Sequence, residues 1–379
     1  MKNILRYLAI LLAAALVFAA ARYLDNAPGK HAEDLEHLQP TEIQMHTESA
    51  ATQPTQPTQT EPAQTEPAET QPPEQRLVFT FAGDCTLGCH TSHTHAGYGF
   101  LLTVGEDYEY PFKNVKSWFE NDDLTMVNLE GPLTDEGRAR GSRYSFRGPE
   151  SYVNMLTRNS IEAVTLANNH AFDYGETGYN RTKAVLEENG VPYVEQNDSR
   201  IITLENGVTV GLYGTVYNSV DKETTIAGIK ALKEQNVDLI IYVPHWGTEH
   251  SFRPTEEQVE LGHAAIDAGA HIVFGSHPHV LQPIEEYNDG VIYYSLGNFS
   301  FGGNIYPSDY DSAIIQQEMI LAGDGTVTLG ERTIVPVSIS SIENRNDYQP
   351  TPYEEGSEEY NRTMSKLDGT YSGSNLPIH

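Results

Sequence analysis

A series of short apolar runs crosses this chain of 379 residues, and most of them end in side chains that bind protons or metals. LVFTFAG (77–83) leads into Asp84. LTMVNLEG (124–131) closes on Asn128 and Glu130, and AVTLANNH (163–170) on Asn168, Asn169 and His170. VDLIIYVPHWG (237–247) delivers His245, and AHIVFGSHPH (270–279) delivers His277 and His279. GVTVGLYG (207–214) and GVIYYSLGNFSFG (290–302) are runs of the same kind. An uninterrupted apolar run bounded by turn residues reads as a strand buried on both faces. Helical patterns separate several of them, as in GYNRTKAVLEENG (178–190) and PTEEQVELGHAAIDAG (254–269). That alternation predicts βαβ units and an α/β fold with helix-covered sheets. The stretch around 312–339 has no long intervening helix, which predicts an antiparallel or mixed edge.

In open α/β sheets ligands gather beyond the carboxyl ends of the strands. Five separate strands deliver Asp, Glu, Asn or His to such ends here. Each has a bland alternative when taken singly. Asn168 and Asn169 would serve a turn or a helix N-cap, GSHPH would be a proline turn, and a lone histidine would be structural. The five together point to one site, and their mixture of oxygen and nitrogen donors suits a divalent metal such as Mn, Fe or Zn.

Charge narrows the partners. With 53 acidic and 23 basic residues the net charge is -30, which argues against binding nucleic acid through bulk charge. Lys2, Arg6 and the uncharged YLAILLAAALVFAAA (7–21) predict a signal peptide or membrane anchor over residues 1–25. Residues 26–75 follow as a linker. Its second half, 51–75, holds six Pro, six Thr and six Gln and cannot bury surface. In polyproline form it would reach roughly 80 Å. The bulk of the chain is therefore expected outside the cytoplasm, anchored or secreted. A domain is expected over 76–340, and the polar stretch 341–379 is expected to be a loosely ordered tail.

Residues 77–302 resemble the CapA family of bacterial capsule or poly-γ-glutamate biosynthesis proteins. The matching stretches are FAGDCTLG, NLEGPLT, YSFRGPE, LANNHAFDYGETG, VPHWGTEH, GSHPHVLQPIE and YSLGNFSF, in that order. The family is similar in fold to the calcineurin-like metallophosphoesterases, so the resemblance implies a four-layer α/β/β/α metallophosphoesterase-like sandwich. It implies that Asp84 binds one metal and that Glu130 stands where an aspartate usually bridges two. Asn169, His245, His277 and His279 would be further ligands. His170 would donate a proton or steady the leaving group, with Asp173 orienting it. Arg143 and Arg147 would recognise phosphate or carboxylate, or pair with Glu150 instead.

One departure matters. The usual first motif, Asp-x-His, is here Asp84-Cys85-Thr86, so one metal is short of a ligand and both one-metal and two-metal sites stay open. CTLGCHTSHTH offers Cys85, Cys89, His90, His93 and His95 as replacements. It reads otherwise as a solvated loop whose two cysteines could pair in an oxidising location. The implied role is capsule or poly-γ-glutamate production or export, with an anionic polymer or phosphoester as substrate and a membrane biosynthesis complex as partner. The alternatives are a metal-dependent phosphoesterase of a cell-surface substrate, and a non-catalytic assembly protein with a degenerate metal site.

Overall fold

The computed structural model describes residues 73–216 and 221–377. Residues 1–25, where a signal peptide or anchor is expected, and nearly all of the expected linker 26–75 lie outside them. No helix among the described residues is long and apolar enough to cross a membrane. The strands, in chain order, are β1 (Gln75–Thr86), β2 (Cys89–His90), β3 (Leu124–Leu129), β4 (Phe146–Arg147), β5 (Ala163–Thr165), β6 (Tyr193–Val194), β7 (Asp198–Thr203) and β8 (Thr209–Val216). They continue with β9 (Leu239–His245), β10 (Ile272–Phe274), β11 (Ile284–Tyr287), β12 (Gly290–Tyr293), β13 (Asn298–Phe301), β14 (Asp311–Leu321), β15 (Val327–Ser338) and β16 (Thr351–Pro352). The longer helices are α1 (Gly175–Glu188), α2 (Lys222–Glu234), α3 (Glu256–Ala268) and α4 (Glu358–Leu367).

Two sheets form. The larger runs β16-β15-β14-β1-β3-β5-β6, with β13 pairing the end of β1, and the smaller runs β11-β12-β10-β9-β8-β7. Parallel pairings join β1 to β3, β3 to β5, and β9 to both β8 and β10, while β14 and β15 are antiparallel. The period-2 alternation of side chains explains how these sheets stack. On β9, Leu239, Ile241 and Val243 face one apolar core, and Ile240 and Tyr242 face another. On β3, Leu124 and Met126 join Leu239 in that first core, whereas Val127 and Leu129 turn outward. One core therefore lies between the sheets. A second seals the larger sheet under α1 and the short helical turns at 100–104, 116–119 and 153–157. A third seals the smaller sheet under α2 and α3. Two covered sheets with three cores make the four-layer α/β/β/α sandwich that the family resemblance implies.

Helix boundaries follow local chemistry. In α3, Thr255 caps Gln258 N and the Gln258 side chain returns the bond, while Gly269 at φ 118° stops the helix.

The expectation of a loose C-terminal tail is corrected. β16 pairs with β15, Tyr348 is fully buried in the core of the larger sheet, and Leu367 of α4 reaches the inter-sheet core. Lys366 is 2% exposed and donates to Asp309 and Asp311, both at 2.8 Å, and Arg362 holds Asp311 through two 2.7 Å bonds. Composition misled because hydropathy registers polarity and not whether the polar groups find partners.

Candidate metal centre

The predicted site residues come from strand ends of both sheets. Asp84 lies where β1 changes register between its β3 and β13 partners, with Asn128 on one side and Asn298 on the other. Such an irregularity re-aims a side chain. Gly83 permits it, since a Cβ there would stand 2.0 Å from the Gly297 carbonyl oxygen, to which the Asp84 amide donates at 2.8 Å. His245 ends β9 and bridges to Ser276. His277 and His279 follow β10 with φ of 101° and 57°. Non-glycine residues held in that left-handed region cost free energy, and such strain gathers at functional sites.

A buried amide organises the carboxylates. Asn128 donates to Asp84 Oδ1 at 2.8 Å and to Glu130 Oε2 at 3.3 Å, and its own oxygen accepts from Asn168 at 3.0 Å. The remaining carboxylate oxygens, Asp84 Oδ2 and Glu130 Oε1, are buried without a hydrogen-bond partner. Asp84 Oδ2 has only the ion-pair contact of His279 Nδ1 at 3.2 Å. Around Glu130 Oε1 stand three imidazole Nε2 atoms, of His279 at 3.7 Å and of His170 and His245 at 3.9 Å. These gaps are too long for hydrogen bonds. Ligand atoms each about 2.1 Å from a shared cation stand roughly 3–4 Å apart, so the gaps fit a metal. Asp84, Glu130 and His279 offer ligand atoms within 4.8 Å of one another. Asn169 Oδ1 lies 2.8 Å from His245 Nε2, and His245 Nδ1 lies 2.8 Å from Ser276 Oγ.

Crowding sets the protonation of the metal-free cluster. Burial, with Asp84 beside it, raises the Glu130 carboxyl to about 7. Burial alone would lower His279, but Glu130 and Asp84 outweigh it and raise the imidazole to about 10. Burial and the neighbouring histidines push His277 down to about 3 and His245 well below its ordinary value. Both are therefore neutral and able to ligate.

His170 sits beside this cluster. Its Nδ1 lies 2.8 Å from Asp173 Oδ2, which also accepts from the Phe146 amide at 2.7 Å. Burial lowers the His170 imidazole, yet Asp173 and Glu130 more than offset this and leave it raised. A cavity of about 310 Å³ opens against His170 and His279, walled by Tyr144, Phe146, Phe301 and Tyr306. Among the described residues lining it, none is Lys or Arg.

The structure does not bring Arg143 and Arg147 into the cluster. Phe146 faces the cavity, so the next residue on β4 points the other way, and the Arg147 guanidinium lies 4.6 Å from the Tyr174 ring centre. Arg143 covers the Tyr144 ring, and the alternative partner Glu150 pairs with Arg181 at 2.7 Å. The cysteine-containing loop is buried through Cys89, and neither cysteine is in a disulfide. Burial pushes the Cys85 thiol up to about 12, which leaves it an inert core group. Only the later part of that loop, including His95, meets solvent.

Sequence reasoning missed three contributors. Asn298 Oδ1 lies 3.0 Å from His279 Nδ1, but it opens β13 inside the run 290–302, so the strand-end rule passes over it. Ser276 precedes the His-x-His pair and carries no chemical signal of its own. Glu249 lies in a turn past the end of β9, with a carboxylate oxygen within 4.8 Å of ring nitrogens of His277 and His279.

Residues 78–303 match the family described as "Bacterial capsule synthesis protein PGA_cap". The chain is 30% identical over 299 residues to the capsule biosynthesis protein CapA of Bacillus anthracis, covering 70% of this chain and 68% of that protein. It is 29% identical over 295 residues to the PGA biosynthesis protein CapA of Bacillus subtilis, covering 70% and 75%. Among solved structures, Haemophilus influenzae NAD nucleotidase is similar with a TM-score of 0.40 at 12% identity, covering 78% of this chain and 56% of that one. A purple acid phosphatase from yellow lupin follows with 0.34 at 8%, covering 80% and 57%.

Proposed function

The chain belongs to the bacterial capsule synthesis protein family, and from that premise we propose that it acts outside the cytoplasm in producing or exporting a capsule or poly-γ-glutamate polymer, through a metal-dependent hydrolytic site. The observation that carries the metal is Glu130 Oε1, a buried carboxylate oxygen without a hydrogen bond, ringed by three imidazoles. Asp84, Glu130 and His279 would hold one divalent cation, and Glu130, Asn169, His245 and His277 a second. Such a cation supplies a lowered pKa for bound water and polarisation of a phosphoryl oxygen. The basic, apolar N-terminal sequence and the Pro-, Thr- and Gln-rich stretch behind it support the location.

The chain's own residues do the rest. Asp173 accepts from His170 Nδ1 and so directs Nε2 to the cavity side, near Glu130. With its pKa raised, His170 holds a proton at Nε2 where a leaving-group oxygen would arrive. With no Lys or Arg among the described residues lining the cavity, the centre would be the place where substrate anionic charge is met. The assay is turnover of phosphomonoesters and phosphodiesters by the full-length protein with Mn²⁺. His170→Ala is expected to keep its metal and lose about 10²–10⁴-fold in turnover, whereas His245→Ala loses both. Metal-loaded wild type without turnover on either ester class would favour the assembly-protein reading.

A further inference from the structure

We propose that Glu249 is a further metal ligand, taking over the coordination position that the missing first-motif histidine leaves open; this rests on the metal-site reading above. Thr86 does not fill that position. Its side chain is buried and its hydroxyl donates to the Glu130 carbonyl at 2.9 Å. The loop histidines do not fill it either. His90 Nδ1 lies 2.7 Å from Ser92 Oγ, and His90, His93 and His95 belong to none of the candidate ligand groups among the described residues.

Glu249 is placed for the role by its backbone. The turn after β9 is tied to the histidine segment at both ends, by Trp246 N to Ser276 O at 3.0 Å and His250 N to Pro278 O at 2.7 Å. Gly247 at φ 84° and His250 at φ 61° bend the chain so that Glu249, the second of the two intervening residues, comes within reach of His277 and His279. The Glu249 carboxylate then shares ligand range with both imidazoles, and it lines the cavity. Two ligand triads result, Asp84–Glu130–His279 and Glu249–His277–His279, with His279 common to both. Glu249 shares no candidate group with Asp84 or Glu130 and reaches the half of the site that is short of a ligand through His279. No Lys or Arg pairs with Glu249 among the described residues. Exchanging an imidazole for a carboxylate also hardens the ligand set, which suits Mn²⁺.

The test is Mn²⁺ titration of the full-length protein, with thermal unfolding recorded with and without Mn²⁺, for wild type, Glu249→Gln and Glu249→Asp. Glu249 is only half-buried in a turn, so the metal-free melting temperature should be unchanged in both variants. Glu249→Gln should weaken Mn²⁺ binding by at least the roughly 10–100-fold seen on losing outer-sphere partners and lose most of the Mn²⁺-induced rise in melting temperature. Glu249→Asp keeps the carboxylate and should retain more of both. Wild-type affinity in Glu249→Gln, or equal losses in the two variants, would overturn the assignment while leaving the metal site standing. A wild type that takes up no Mn²⁺ would bring down both.

Discussion

Two buried charge clusters in this protein are built on opposite terms. Around Asp309 and Asp311, two carboxylates meet two cations, Lys366 and Arg362, and Tyr353 donates to Asp311 at 2.9 Å. Charge and hydrogen bonds balance inside the protein. Around Asp84 and Glu130, the carboxylates are steadied by a neutral amide, one oxygen of each lacks a hydrogen bond, and the facing groups are imidazoles at up to 3.9 Å. A buried charge left without partners is costly. A fold that satisfies one cluster completely and leaves the other open marks the first as structural, and the contrast is what supports the proposal of a cation at the second.

Substitutions should separate the two. Lys366→Met strands Asp309 and takes one of its two cations from Asp311, and it is expected to cost about 3–5 kcal/mol of stability, measured by denaturant unfolding, with Mn²⁺ affinity unchanged once the protein is folded. Stability near wild type would show that α4 does not lock the fold. Glu130→Gln should do the reverse. Losing this oxygen should weaken Mn²⁺ binding by more than roughly 100-fold, beyond the effect of an outer partner. The metal-free melting temperature should hold or rise, because glutamine keeps the shape and removes a buried carboxylate whose Oε1 has no hydrogen bond. A large drop in metal-free stability would make Glu130 a structural residue like Asp311.

Acidity should sharpen the contrast further. In the metal-free protein His279 stays protonated up to about 10, as Glu130 and Asp84 override the effect of burial, and Glu130 titrates near 7. A ligand must shed its proton to bind metal. The free protein thus carries protons that the complex lacks, and affinity rises with pH. Titrations between about pH 6 and 9 should show up to about a tenfold gain per unit for each proton released. A flat profile would remove His279 from the ligand set. The smallest effect is expected for Arg143→Ala, within about 0.5 kcal/mol in stability and with no change in Mn²⁺ affinity, since its guanidinium lies over the Tyr144 ring.

The sequence carried the layers and most of the cluster because both rest on local signals. Buried strands announce themselves as apolar runs, and their last residues, Asp84, Glu130, Asn169 and His245, fall together once the sheets stack. What stayed hidden depends on long-range partners. The stretch 341–379 reads as a loose polar tail because an ion pair such as Lys366–Asp311 joins positions 55 apart. Arg147 looked like an anion binder, but the pleat of a two-residue strand turns it onto Tyr174. Glu249 was silent because its placement depends on a turn whose bonds run to residues 276 and 278.

The account stands on a cation at Glu130. Anomalous diffraction from Mn²⁺-soaked crystals of the protein locates it directly. The predicted result is a peak within roughly 2.0–2.3 Å of Glu130 Oε1, Asp84 Oδ2 and a ring nitrogen of His279. Ordered density for these side chains with no peak among them would contradict it.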